Sequence, residues 1–118
     1  GTISLGPAAT GNTVEREKGK LEDPEQIKEH ILSVLVKNAG TLKQCYERRL
    51  KEREDLSGDW RIDFVIRASG AVAEVQAKGR QMADDDFEDC LRKKVGSWSF
   101  SQLPDDRRVG RSFKFRPG

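Results

Sequence analysis

A chain of 118 residues is long enough for one domain with a small core, and with 36% charged against 35% hydrophobic residues part of it is expected to stay unpacked. Its 22 basic and 20 acidic residues leave a net charge of +2, too even to imply nucleic-acid binding, and the longest apolar run, ILSVLV at 31–36, is far too short to span a bilayer. The opening GTISLG has no initiator Met and no signal-like character, so the chain reads as a piece of a longer protein.

Residues 1–23 carry Gly, Thr and the charge cluster EREKGK but few large apolar groups. They read as a linker, with room for TVEREKGKL to add a short strand to a sheet edge. The domain proper is expected over 24–118. Asp23-Pro24 is a helix start, with a side-chain acceptor at the cap and proline in the first turn. Ile27, Ile31, Leu35, Leu42, Cys45, Tyr46 and Leu50 follow at helical spacing, with Val34 beside them. The stripe passes Asn38 and Gly40, where a bend is expected, and Leu56-Ser57-Gly58 is read as ending the helix.

Trp60, Ile62, Phe64 and Ile66 then alternate with Arg61, Asp63, Val65 and Arg67, a strand with one apolar face. Ala68-Ser69-Gly70-Ala71 is a turn, and Ala73, Val75 and Ala77 form the small inward face of the returning strand. Asp84-Asp85-Asp86 opens a second helix, whose stripe is Phe87, Cys90, Leu91, Val95 and Trp98. The three carboxylates lack the alternation and terminal Glu of a calcium loop, so no metal site is assigned. Val109, Phe113 and Phe115 alternate with Ser112 and Lys114 in a last strand, while Arg111 lands on the inward phase, which predicts a strand end or a bulge there. The order is helix-strand-strand-helix-strand. It predicts an α+β fold with two helices packed on one face of a three-stranded antiparallel sheet, strand 60–67 central and the last strand at an edge.

Cys45 and Cys90 lie on the inward stripes of the two helices, so helices side by side would let the thiols meet. A metal site lacks ligands, since four are usual and His30 is about four helical turns before Cys45. A redox pair lacks CxxC spacing. A structural disulfide is favoured over two separately buried thiols. It would close a loop of roughly 46 residues, worth about 4 kcal/mol in the chain-entropy view, and would point to the periplasm or the cell exterior.

Catalytic machinery finds no support. His30 has no nearby nucleophile, Ser57, Ser69, Ser97, Ser99 and Ser101 fall in turns or at helix ends, and Gly70 and Gly79 belong to strand ends rather than a phosphate loop. No cofactor is expected. Trp60 and Trp98 could stack on a sugar or a base, but their inward phase favours the core. The basic run Arg107, Arg108, Arg111, Lys114 and Arg116 reads either as protection of an edge strand or as a strand that accepts a partner segment, an acidic one among the candidates.

CYERRL, LSGDWRIDFVIRASGAVAEV, CLRKKVGSWSF and a closing FKF together resemble the C-terminal domain of myxobacterial adventurous-gliding-motility proteins (the AgmX/PglI type), a relative of the TonB C-terminal domain. The resemblance covers about residues 25–116. It implies a periplasmic, non-enzymatic module in which Cys45 pairs with Cys90. In TonB the last strand receives an extended peptide from an outer-membrane transporter, and the parent is anchored in the inner membrane and works with a proton-driven motor. Carried onto this chain, the receiving strand is 109–116, with Val109, Arg111, Ser112, Phe113, Lys114 and Phe115 as the partner-binding edge. The partner would be an extended segment of an outer-membrane or periplasmic protein, in a gliding-motility or energy-transduction machine. SQLPDDRR stands where the family has a Phe-Pro-rich connection, and Arg111 departs from the family's inward phase. The alternatives are edge-to-edge pairing into a homodimer and a glycan-binding module.

Overall fold

The computed structural model describes residues 21–117, so the expected linker strand over TVEREKGKL lies outside the described residues except for Leu21, whose amide donates to Gln102 O at 2.9 Å. Helix α1 spans Pro24–Leu50 and begins as predicted: the Asp23 carboxylate accepts from the Glu25 amide at 3.0 Å, and Pro24 occupies the first turn. It continues through Asn38 and Gly40 without interruption. Glycine there costs up to about 1 kcal/mol, but Ile27 and Leu35 on one side and Leu42, Cys45 and Tyr46 on the other are all buried in one core. That shared burial outweighs the local penalty.

The helix ends at Leu50, not at Leu56-Ser57-Gly58. Residues 51–57 turn back over the last helical carbonyls, with the Arg53 amide donating to Arg49 O at 3.0 Å. The turn returns Leu56 to full burial, and the Tyr46 hydroxyl donates to its carbonyl at 2.7 Å.

Strands β1 (Gly58–Ile66), β2 (Val72–Gly79) and β3 (Arg107–Phe115) form one antiparallel sheet in the order β2-β1-β3. The central strand therefore starts two residues before the predicted Trp60 and ends at Ile66. Trp60, Ile62, Phe64 and Ile66 bury its inner face as expected. The returning strand corrects the simple alternation. Its register against β1 shifts between Asp63 and Val65, where Glu74 adopts φ 54°. The extra residue of this bulge reverses the phase. Ala73 pairs with Val65 on the outer face, while Val72, Val75 and Ala77 face the core. The connecting turn uses Gly70 at φ +95°, where an added Cβ would strike the Phe100 carbonyl oxygen.

Helix α2 spans Asp85–Gly96, and Asp84 caps it by accepting from the Phe87 amide at 2.8 Å. Trp98 is not on this helix. Ser97 closes α2, and Trp98, Phe100 and Leu103 are buried from the connection to β3 instead. That connection is tied to the hairpin by Phe100 N to Gly70 O at 2.9 Å and Leu103 N to Ala68 O at 2.8 Å. Phe87 sits at the centre of the aromatic core, with ring centroids 5.0 Å from both Trp60 and Phe115 and 5.9 Å from Tyr46.

The strand end or bulge predicted at Arg111 does not occur. β3 pairs with β1 in unbroken register from Gly58↔Phe115 to Ile66↔Arg107, with Arg111 opposite Ile62. Arg111 remains exposed on its inward phase.

Candidate functional site

Cys45 and Cys90 are bonded, with Cα atoms 5.9 Å apart, so the reading as two separate thiols is excluded. The bond joins the last turns of α1 to the second turn of α2. Charge reinforces the same junction: Asp84 is 5% exposed and receives Arg49 Nε at 3.0 Å and Arg53 Nη1 at 3.0 Å. Burial pushes the Asp84 carboxyl up, but the Phe87 amide and the Arg53 and Arg49 guanidinium groups together outweigh it and hold it below the usual carboxylate range. Glu88, also buried, accepts from Trp60 Nε1 at 3.0 Å and from the Asp84 amide at 3.2 Å. The Asp84-Asp85-Asp86 run is thus a cap and an ion-pair anchor. Among the described residues no three His, Cys, Asp or Glu side chains gather as metal ligands do.

His30 occupies the far end of α1. Its Nε2 accepts from the Ser101 amide at 2.9 Å, and its ring meets Phe100 edge-on at 5.9 Å. Burial lowers its pKa, since the charged form is poorly solvated there. Trp60 is fully buried and Trp98 is 6% exposed, so neither presents an open ring face to a sugar.

β3 is the remaining candidate. In an antiparallel pair, the backbone groups of successive residues point alternately to the two sides of the strand. Arg80 N donates to Asp59 O at 2.9 Å, and Arg67 N donates to Ala71 O at 2.8 Å. The odd-numbered residues of β1 therefore aim at β2 and the even-numbered ones at β3. By the β1–β3 register, Arg107, Val109, Arg111, Phe113 and Phe115 exchange bonds with β1. Arg108, Gly110, Ser112 and Lys114 turn their N–H and C=O groups to the other side, where no strand pairs among the described residues.

This sorts the predicted edge residues. Ser112 and Lys114 offer backbone groups to the open side, and their side chains are exposed on the outer face of the sheet. Val109, Arg111 and Phe113 direct their backbone to β1 and line the inner face. Phe115 is 7% exposed and packs on Tyr46, so its side chain belongs to the core. Arg108, expected only as part of the basic run, and Gly110, expected only as a position within the receiving strand 109–116, share the outward set. At Gly110 a Cβ would collide with the Arg61 guanidinium and the Asp63 carboxylate, which lie across it on the outer face. Comparison of the chain with protein-family models, with curated proteins and with solved structures gives no match.

Proposed function

We propose that the domain is a non-enzymatic periplasmic interaction module of an envelope-spanning gliding-motility or energy-transduction machine, and that it binds an extended partner segment by strand addition to β3. The observation that carries this reading is the outer side of β3: four residues with outward backbone donors and acceptors, in a strand held in unbroken register by β1. Strand addition draws affinity from such main-chain groups and selectivity from alternate side chains. The disulfide is compatible with an oxidising compartment. The resemblance to the gliding-motility and TonB C-terminal domains supports the choice of machine, an inner-membrane-anchored parent and a proton-driven motor. The test is titration of extended envelope-protein peptides into the isotope-labelled chain. The amides of Arg108, Gly110, Ser112 and Lys114 are expected to shift first, and shifts that avoid them would refute the site.

Homodimerisation through the same edge is the second reading, favoured by the same outward backbone groups. It is weakened by charge, because residues 107–116 hold five Arg or Lys and no Asp or Glu, and like charges across paired strands destabilise. Sedimentation over a concentration range separates the two: a strict monomer removes the dimer.

A further inference from the structure

Side chains around the open edge of β3 specify what kind of strand it accepts. On the outer face, Arg108 and Lys114 flank the small Gly110 and Ser112. Among the described residues Arg108 reaches only Glu74, at 3.8 Å, with its own side chain 84% exposed, and Lys114 has no ion pair. Arg111 likewise has none, and stands exposed on the inner face.

On the helix side the edge is bordered by α1. Tyr46 meets Phe115 at 5.3 Å, and His30 meets Phe100 just before the β3 connection, so α1 and β3 run in the same direction. Counting back from Tyr46, Val36 and Leu32 lie about 15 and 21 Å along the helix. Counting back from Phe115, Arg111 and Val109 lie about 13 and 20 Å along the strand. The two apolar helix residues are therefore level with the middle of β3. Cys45 faces α2, and Leu32 and Val36 fall about 40° and 80° beyond Tyr46 on the flank turned away from it. They are the exposed large hydrophobic residues of the described chain, at 39% and 72%.

We infer that β3 recognises an acidic amphipathic segment of another protein, with carboxylates on the phase facing Arg108 and Lys114 and apolar side chains on the phase facing Leu32 and Val36. The inference rests on strand addition at β3 and adds the chemistry of the guest. Charge complementarity selects this occupant over a second copy, whose β3 would bring the same cations to the edge. A guest strand added at β3 places alternate side chains on the two faces, so one sequence pattern satisfies both sets of contacts.

The test uses the full chain, isotope-labelled, and three blocked nine-residue peptides that alternate Val with Glu, Gln or Lys. In the free chain the amides of Arg108, Gly110, Ser112 and Lys114 should exchange rapidly with solvent. Protection there would mean that the chain's own residues or, if concentration-dependent, a second copy fills the edge, and would overturn the inference. The Glu peptide should shift these four amides and bind about fivefold tighter than the Gln peptide at low salt, with the advantage shrinking as salt rises. Arg108→Glu with Lys114→Glu should reverse the order and favour the Lys peptide. Leu32→Ser with Val36→Ser, both at exposed positions, should weaken all three. Equal binding of the three peptides at β3 would leave strand addition standing and overturn the acidic specificity. Unchanged affinity in the serine variant would overturn the helix-side contact. No shift at β3 with any peptide would overturn strand addition itself.

Discussion

Opening the Cys45–Cys90 bond perturbs the fold at its helix junction, and the size of the effect follows from chain topology. The two residues are 45 apart in sequence. A cross-link over that separation removes about 4 kcal/mol of loop-closure entropy from the unfolded chain. A domain of this size loses about 4–8 °C in melting temperature per kcal/mol, so reduction should lower Tm by about 15–30 °C. The double variant Cys45→Ala with Cys90→Ala should fall at least as far, because Cys45 is 2% exposed and its sulfur also fills core space. Melting followed by circular dichroism, with and without a phosphine reductant, gives the number. Before reduction neither thiol should react with a maleimide in the native protein. A Tm change below about 5 °C would refute the entropic argument, and two readily labelled thiols would refute the bond.

Three further outcomes follow from the polar contacts. Asp84→Ala removes a helix cap and the partner of two guanidinium groups at a buried position, and urea unfolding should show a loss of about 2–4 kcal/mol. Because the folded Asp84 pKa lies below its ordinary value of 3.8, its contribution is complete above that value and fades as pH falls through the lower folded one; the variant's acid unfolding should lose that component. The folded His30 pKa is likewise lowered, from 6.5, so the neutral ring's bond to Ser101 contributes fully above that pH and is lost as pH falls through the folded value. His30→Ala should cost about 1–2 kcal/mol at pH 8 and less in acid, and equal losses at both pH values would count against the neutral acceptor. Trp60→Phe strips Glu88 of its indole donor and should cost about 1–3 kcal/mol in urea unfolding.

The element order was legible because each element carries its own period. Misread boundaries have a common cause in that same periodicity. Leu56 falls within about 20° of Ile27 on a helical wheel, and Trp98 within about 20° of Leu91, so both look like continuations of a helix. Each is buried after its helix has ended, from a turn at 51–57 and from the α2–β3 connection. The bulge at Glu74 was invisible because Ala73, Val75 and Ala77 keep perfect alternation and the positive-φ residue is not glycine. For the edge strand, side-chain phase was readable but backbone direction was not. Nothing in the pattern of β3 says whether its odd or even residues bond to β1; that follows from the Arg80–Asp59 bond two strands away.

The covalent ring closed by Cys45 and Cys90 encloses β1, β2 and the start of α2, and leaves β3 outside it. Tension applied between the start of α1 and the end of β3 therefore crosses from one helix to the other through sulfur. The enclosed chain, about 150 Å when drawn out, cannot lengthen under that pull. The path that can lengthen is α1 before Cys45, the end of α2, its connection and β3, so β3 can be peeled from the central strand while the hairpin stays unloaded within the ring. In an optical trap the oxidised protein should show a short extension and the reduced protein a longer one, the difference being the hidden length of the ring.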